Sequence, residues 1–155
     1  MAFLYIINFI KAMIILFISL NITNVYANNI KNSAVIFMYH KFGISKYPTT
    51  NVKIEQFNDH IDEFTKKRYN IRSLDFIVDT IINDGQLPEN TIGISIDDAD
   101  KSFMVSAWPI FKANNIPVTL FINTSTIVEN NKNYLNWDEI RNLKKEGVTI
   151  GAHSH

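Results

Sequence analysis

The sequence predicts an α/β fold built on a parallel sheet or barrel. Segments of strand length recur at residues 34–39, 91–96 and 117–122, the first a continuous apolar run like a strand buried on both faces. Segments with helical periodicity separate them, and strands alternating with helices imply parallel pairing. No internal repeat or low-complexity segment interrupts the alternation.

The elements follow in order. The first strand covers residues 34–39. Residues 41–51 read as a loop, because they hold Gly43, Pro48 and the pair Thr49 and Thr50. Ile54, Phe57, Ile61 and Phe64 then recur at helical spacing with charges between them. A short extended piece is expected around Ile71. Leu74, Ile77, Val78, Ile81 and Ile82 mark a second helix, stopped by Asp84 and Gly85. A strand over 91–96 precedes a helix over 103–113 that is apolar on one side. A strand over 117–122 follows. Residues 137–146 form an amphipathic helix closed by Gly147, and residues 148–151 begin a fourth strand. The sequence stops at His155 immediately after that strand, where a parallel sheet would ordinarily continue into a covering helix.

Length and composition narrow the function classes. At 155 residues, 46% hydrophobic, the chain suffices for one domain with a sizeable core. Lysine plus arginine and aspartate plus glutamate number 15 each, so the formal charge is zero. Nucleic-acid binding, which normally leaves a basic excess, is not indicated. There are no cysteines, so any metal must rely on His, Asp and Glu.

Residues 1–27 read as a segment outside the fold. A lone Lys11 precedes the apolar run 12–18, and Val25, Tyr26 and Ala27 close it with small residues at the cleavage positions. That order is a secretory signal peptide. The alternative is an uncleaved N-terminal membrane anchor, since the apolar stretch from Ala2 approaches spanning length. Either reading sends residues 28–155 out of the cytoplasm, as a periplasmic, cell-envelope or secreted domain, with membrane attachment through the N-terminal segment in the second case.

Two short features carry chemistry. Asp97 and Asp98 end the strand over 91–96, and in parallel α/β folds that end is where ligands bind. Adjacent residues there point in different directions, so one carboxylate can ligate a metal while the other faces substrate. The bland alternative is helix capping by Asp98 or Asp100. His153 and His155 follow the last strand, where histidines suit zinc or a similar ion. A chance pair is the alternative there.

Together and in this order, these stretches resemble the polysaccharide deacetylase family with the NodB-homology domain. Its T-F-D-D-G motif corresponds to Ser95, Ile96, Asp97, Asp98 and Ala99. Its G-I-P-A-T-F-F strand corresponds to residues 115–122, and the strand ending in H-S/T-x-x-H to residues 148–155. Met38, Tyr39 and His40 resemble the M-Y-H segment of a bacterial branch. The resemblance covers residues 35–155 and implies a truncated, distorted (β/α) barrel, the N-terminal portion of the domain. Two departures stand out. The motif glycine is Ala99 here, so the turn is expected to manage without a positive φ or to take another shape. The second histidine of H-S/T-x-x-H would fall two places beyond His155, as would the later motifs.

The resemblance implies removal of N-acetyl groups from an aminosugar polysaccharide, assisted by a divalent metal, zinc or else cobalt or nickel. Asp98 and His153 would be metal ligands, Asp97 the general base and His40 the general acid for the leaving amine. His40 equally suits a hydrogen-bonded histidine at a strand end. His155 holds an x position of the motif, which implies a surface or supporting role. Tyr39, Trp108 and Trp137 suit core packing better than sugar stacking. The partner implied is an N-acetylated glycan, and residues 35–155 hold only part of the site that the resemblance implies. Two other readings stay open: a non-catalytic remnant of such an enzyme, and another metal-dependent esterase on a (β/α) barrel.

Overall fold

The computed structural model describes residues 32–129 and 131–155. The signal or anchor segment read over 1–27 lies outside them. Seven strands are present among the described residues: β1 (Ala34–Tyr39), β2 (Lys41–Phe42), β3 (Asn51–Val52), β4 (Asn70–Ile71), β5 (Thr91–Asp97), β6 (Thr119–Asn123) and β7 (Thr149–Ser154). The helices are α1 (Ile54–Phe64), α2 (Leu74–Ile82), α3 (Trp108–Ala113), α4 (Thr124–Val128) and α5 (Trp137–Lys145). A π-helical turn over Phe103–Ala107 leads into α3.

The expected α/β architecture is present. The main sheet runs β1-β5-β6-β7, with β4 pairing the start of β5, and every pair is parallel. β5 is the centre, and all seven of its residues are buried. Ile92, Ile94 and Ile96 alternate along it with Thr91, Gly93, Ser95 and Asp97, small or polar residues that are buried as well. Tyr39 pairs with Ile96, Asp97 with Phe121, and Phe121 with Gly151. Paired residues share a face, so the register carries the carboxylate end of β5 towards the end of β7.

The outer face of the sheet packs on an aromatic cluster. Phe57 of α1 is fully buried, with ring centroids 5.0 Å from Phe42 and 5.1 Å from Phe111. Phe42 also meets Phe103 at 6.4 Å, which seats the turn after β5 against β2. Tyr39 and Trp108 belong to this core, as the sequence suggested, whereas Trp137 is 40% exposed at the start of α5. β1 is not buried on both faces as its sequence suggested, since Val35 on one face and Ile36 and Met38 on the other are exposed, and α2 exposes Phe76, Val78, Ile81 and Ile82.

Helix ends follow local chemistry. Ser73 Oγ accepts from Phe76 N at 3.3 Å, capping α2. Asn136 and Glu139 form a reciprocal capping box on α5, with distances of 2.9 and 2.8 Å. α5 ends at Gly147, whose φ of 108° turns the chain back so that Val148 N reaches Leu143 O at 3.0 Å.

Three elements differ from the sequence expectations. The loop over 41–51 is pinched by the short parallel pair β2–β3. α4 was not anticipated, although Asn123 caps it by accepting from Ser125 N at 3.1 Å. β7 runs on to Ser154, so His153 lies within the strand rather than after it.

Gly93 marks the closest approach of α2 to the sheet. A Cβ there would lie 2.7 Å from Leu74 Cδ2, 2.8 Å from Ile36 Cδ1 and 2.9 Å from Ile77 Cδ1. All three are ends of flexible side chains and can yield, but together they converge on one point. Gly93→Ala is expected to lower stability by about 1–2 kcal/mol, the range for mild overpacking. A urea midpoint equal to that of the parent chain would show that the side chains repack freely.

Candidate metal and catalytic site

The end of β5 turns sharply. Asp98 and Ala99 both have positive φ, 69° and 58°. The expectation that the turn would manage without a positive φ or take another shape is therefore overturned: Ala99 itself adopts the left-handed conformation. Ala99 is fully buried, and the backbone around it is pinned. Leu135 N donates to Ala99 O at 2.9 Å, Lys101 N donates to Asn133 O at 2.9 Å, and Asp100 bridges Tyr134 in antiparallel fashion. These bonds from the 133–135 segment hold two residues in a conformation that costs about 1–2 kcal/mol each for an L side chain.

The turn splits the acidic residues by role. Asp97 is nearly buried at the strand end, and Asp98 is partly exposed beyond it. Asp100 folds back instead. Its Oδ1 accepts from Ser102 N at 2.9 Å and Ser102 Oγ at 2.6 Å, and its Oδ2 lies 3.9 Å from Lys41 Nζ. The capping alternative thus holds for Asp100 and not for Asp98. Ser102 Oγ in turn accepts from Phe42 N at 3.0 Å, tying β2 to the turn.

His153 approaches from β7. The β6–β7 register shifts between Ile122 and Asn123: Ile122 faces Ala152, and Asn123 faces Ser154. His153 is the extra residue of that bulge. Bulges are rare in parallel pairs and re-aim side chains near functional sites. Here Nε2 of His153 stands 3.5 Å from Asp97 Oδ2 and 3.8 Å from Asp98 Oδ1. Both spacings leave the imidazole short of a good hydrogen bond to either carboxylate.

The other candidates lie apart. His40 follows β1, one residue beyond the Tyr39–Ile96 pair, and is partly buried. It lines a cleft of about 320 Å³ with Thr49, Asn51, Gln56 and His60, and no hydrogen bond or ion pair joins it to Asp97, Asp98 or His153 among the described residues. Tyr39 beside it places its hydroxyl 2.8 Å from His60 Nδ1, and burial pushes its phenol well above the ordinary tyrosine range. His155 diverges from His153, because the bulge breaks the alternation that would have pointed both the same way. Its Nδ1 sits 2.7 Å from Thr124 Oγ1 on α4.

Residues 84–155 match the family model described as polysaccharide deacetylase. That match covers 72 of the 155 residues, a little under half of the chain. The chain is 32% identical over 75 residues to the poly-beta-1,6-N-acetyl-D-glucosamine N-deacetylase of Staphylococcus aureus, a match covering 46% of this chain and 26% of that protein. The chain thus spans about a quarter of the curated relatives it matches. Among solved structures, a Streptococcus pyogenes deacetylase, PplD, in complex with acetate aligns with a TM-score of 0.68 at 18% identity, over 77% of this chain and 55% of that one. A de-N-acetylase from Aggregatibacter actinomycetemcomitans aligns at 0.67 and 20% identity, over 79% and 54%. These likenesses show the fold, an α/β domain matching a little over half of each deacetylase chain.

Within the family-matched segment, the donor set suits a divalent ion of borderline softness. One imidazole nitrogen and two carboxylates converge, and thiolates are absent. Among the described residues, no group of three or more such side chains is spaced as a complete ligand set. The residues in place fit part of a metal's shell.

Sequence reasoning missed Lys41 and Tyr134. Burial, with the charges of Asp98 and Asp100 and the phenol of Tyr47 nearby, raises the phenol pKa of Tyr134. That places Tyr134 within electrostatic reach of the acidic pair. No periodicity marks either residue, since each acts through partners distant in sequence. The one local signal was a lysine directly after an apolar strand, between His40 and Phe42.

Proposed function

We propose that the chain is part of an exported, metal-dependent hydrolase that removes N-acetyl groups from an aminosugar polysaccharide. The observation that carries this reading is the meeting of Asp97, Asp98 and His153 at the ends of two strands inside the family-matched segment. The S. aureus relative is a deacetylase of a poly-N-acetylglucosamine, which points to the same substrate class.

Asp98 and His153 would hold the ion, zinc or else cobalt or nickel. When bound, the ion would supply Lewis acidity towards the acetyl carbonyl and lower the pKa of a water. Asp97, nearly buried beside His153, takes the proton from the attacking water as general base. The leaving amine needs a proton, and His40 is the candidate donor at the end of the neighbouring strand, at the register level of Asp97. The export reading rests on the apolar segment over 1–27. Among the described residues, no helix is long and apolar enough to cross a membrane.

Catalytic zinc sites commonly use three protein ligands with one open position. The described residues offer Asp98 and His153, while His155 is turned towards Thr124. The 155-residue chain is therefore expected to bind zinc weakly and to release no acetate from an N-acetylated oligosaccharide by itself. The test is zinc titration monitored at the His153 imidazole by NMR, together with an acetate assay. A His153 signal indifferent to zinc would sink the metal site. Tight one-to-one zinc with turnover would make His155 or another group a third ligand.

A further inference from the structure

A second cleft opens at the turn that follows the acidic pair, lined by Asp100 to Ser102. It holds about 540 Å³ and lies between the 44–47 loop and the 131–134 segment, with Asp100 at its base. That volume falls in the range of small-molecule sites. Four lysines line it, namely Lys41, Lys46, Lys101 and Lys132, against one carboxylate, Asp100. The chain as a whole is neutral, so this is a local concentration of positive charge.

Lys41 is the informative residue. Its side chain is 9% exposed, and its ammonium lies 5.2 Å from the ring centre of Tyr47 and 5.8 Å from that of Tyr134. The nearest carboxylate oxygen, on Asp100, stands at 3.9 Å, beyond hydrogen-bond length. Asp100 already accepts two hydrogen bonds from Ser102 through its other oxygen. Among the described residues the ammonium donates no hydrogen bond, yet it lines the cleft. The ammonium is not among the buried polar atoms left without a partner, so it opens onto the cleft with its donors free to meet an incoming anion. Lys101 is partly neutralised by Glu139 at 3.3 Å, whereas Lys46 and Lys132 are exposed and form no ion pair among the described residues.

We propose that this cleft binds an anionic group, a carboxylate or a phosphate monoester, on a sugar neighbouring the one held at Asp97, Asp98 and His153. The inference rests on the deacetylase reading and narrows its substrate to N-acetylated glycans bearing acidic substituents. Three features support it. Lys41 supplies a donor held at the cleft wall by its largely buried stem, Lys46 and Lys132 supply attraction at the rim, and Tyr47 and Tyr134 supply ring faces beside it. Tyr134 connects the cleft to the acidic pair, because it bridges Asp100 and feels the charge of Asp98.

The test is NMR titration of the 155-residue chain with three probes: N-acetylglucosamine, N-acetylmuramic acid and N-acetylglucosamine 6-phosphate. At low salt, one or both charged sugars should bind at least about tenfold more tightly than the neutral one, with shifts centred on Lys41, Ser102 and Tyr134. Whichever charged probe leads identifies the source of the anion. The advantage should fall with added salt. It should disappear in Lys46→Ala/Lys132→Ala, a surface change that leaves the fold intact, and in Lys41→Met. Equal binding of neutral and charged sugars would overturn the inference, as would a charge preference that survives in the double variant. Zinc titration of the unsubstituted chain, read at His153, separates the two readings. Retained anion binding beside a His153 that never senses zinc would leave the cleft assignment standing and remove the deacetylase one. Loss of anion preference with zinc sensing intact would do the reverse.

Discussion

Asp98→Ala should weaken zinc binding by about 10²-fold or more, while Asp97→Asn should keep the metal. The asymmetry comes from the turn. Asp98 sits past the strand with φ of 69°, its carboxylate 3.8 Å from His153 Nε2 and more open to solvent than that of Asp97. Asp97 remains in the strand with only 13% of its side chain exposed, which suits a base shielded from bulk water. Structural zinc sites in small domains are worth about 10–16 kcal/mol over four ligands, so one ligand accounts for about 3 kcal/mol. That corresponds to about two orders of magnitude in affinity. Asp97→Asn keeps the shape but replaces one acceptor oxygen by an NH2 donor and removes the charge that takes up a proton, so its effect falls mainly on turnover. In an assembly competent for catalysis, a loss of about 10²–10⁴ in kcat is expected. Competition of each variant against a zinc chelator decides the assignment. Zinc retained in Asp98→Ala and lost in Asp97→Asn would mean that the roles are reversed.

The fold was legible where burial writes a one-dimensional pattern. β5 reads as strand because both faces are buried, and α1 and α5 read as helices because each buries one stripe, Phe57, Ile61 and Phe64 in the first, Ile140 and Leu143 in the second. The acidic pair at the strand end was legible for the same reason, since an apolar run stopping at two carboxylates marks the point where the chain meets solvent. What escaped was set by contacts across the sequence. The bulge that aims His153 depends on β6–β7 register, which residues 148–155 alone do not encode. The left-handed turn at Ala99 depends on Leu135, thirty-six positions on, donating to its carbonyl. The Lys41–Asp100 pair links a strand end to a turn through a fold neither segment specifies. α4 was the exception: Asn123 before Thr124, Ser125 and Thr126 is a capping signal that local reasoning passes over because so few apolar residues follow it.

Ala99 is the position where backbone and site are most tightly coupled, and two substitutions there should separate sharply. Ala99→Val is expected to cost about 3 kcal/mol or more. A β-branched residue at φ of 58° is a steric outlier, and the site is fully buried, so two added methyls must also overpack at about 1–3 kcal/mol. Ala99→Gly should change stability by less than about 1 kcal/mol, because its terms oppose each other. Relief of the left-handed conformation contributes about 1–2 kcal/mol. Loss of one buried methyl costs about 0.8 kcal/mol, and the freer unfolded chain costs a further 0.4–1 kcal/mol or so. Urea unfolding gives both numbers. The same turn carries Asp98, so the valine variant should also lose zinc response at His153 under conditions where it remains folded, while the glycine variant should keep it. If Ala99→Val unfolds at the parent midpoint, the strand–turn junction is more plastic than its pinned backbone implies. If it keeps its zinc response as well, the turn geometry has no part in presenting Asp98.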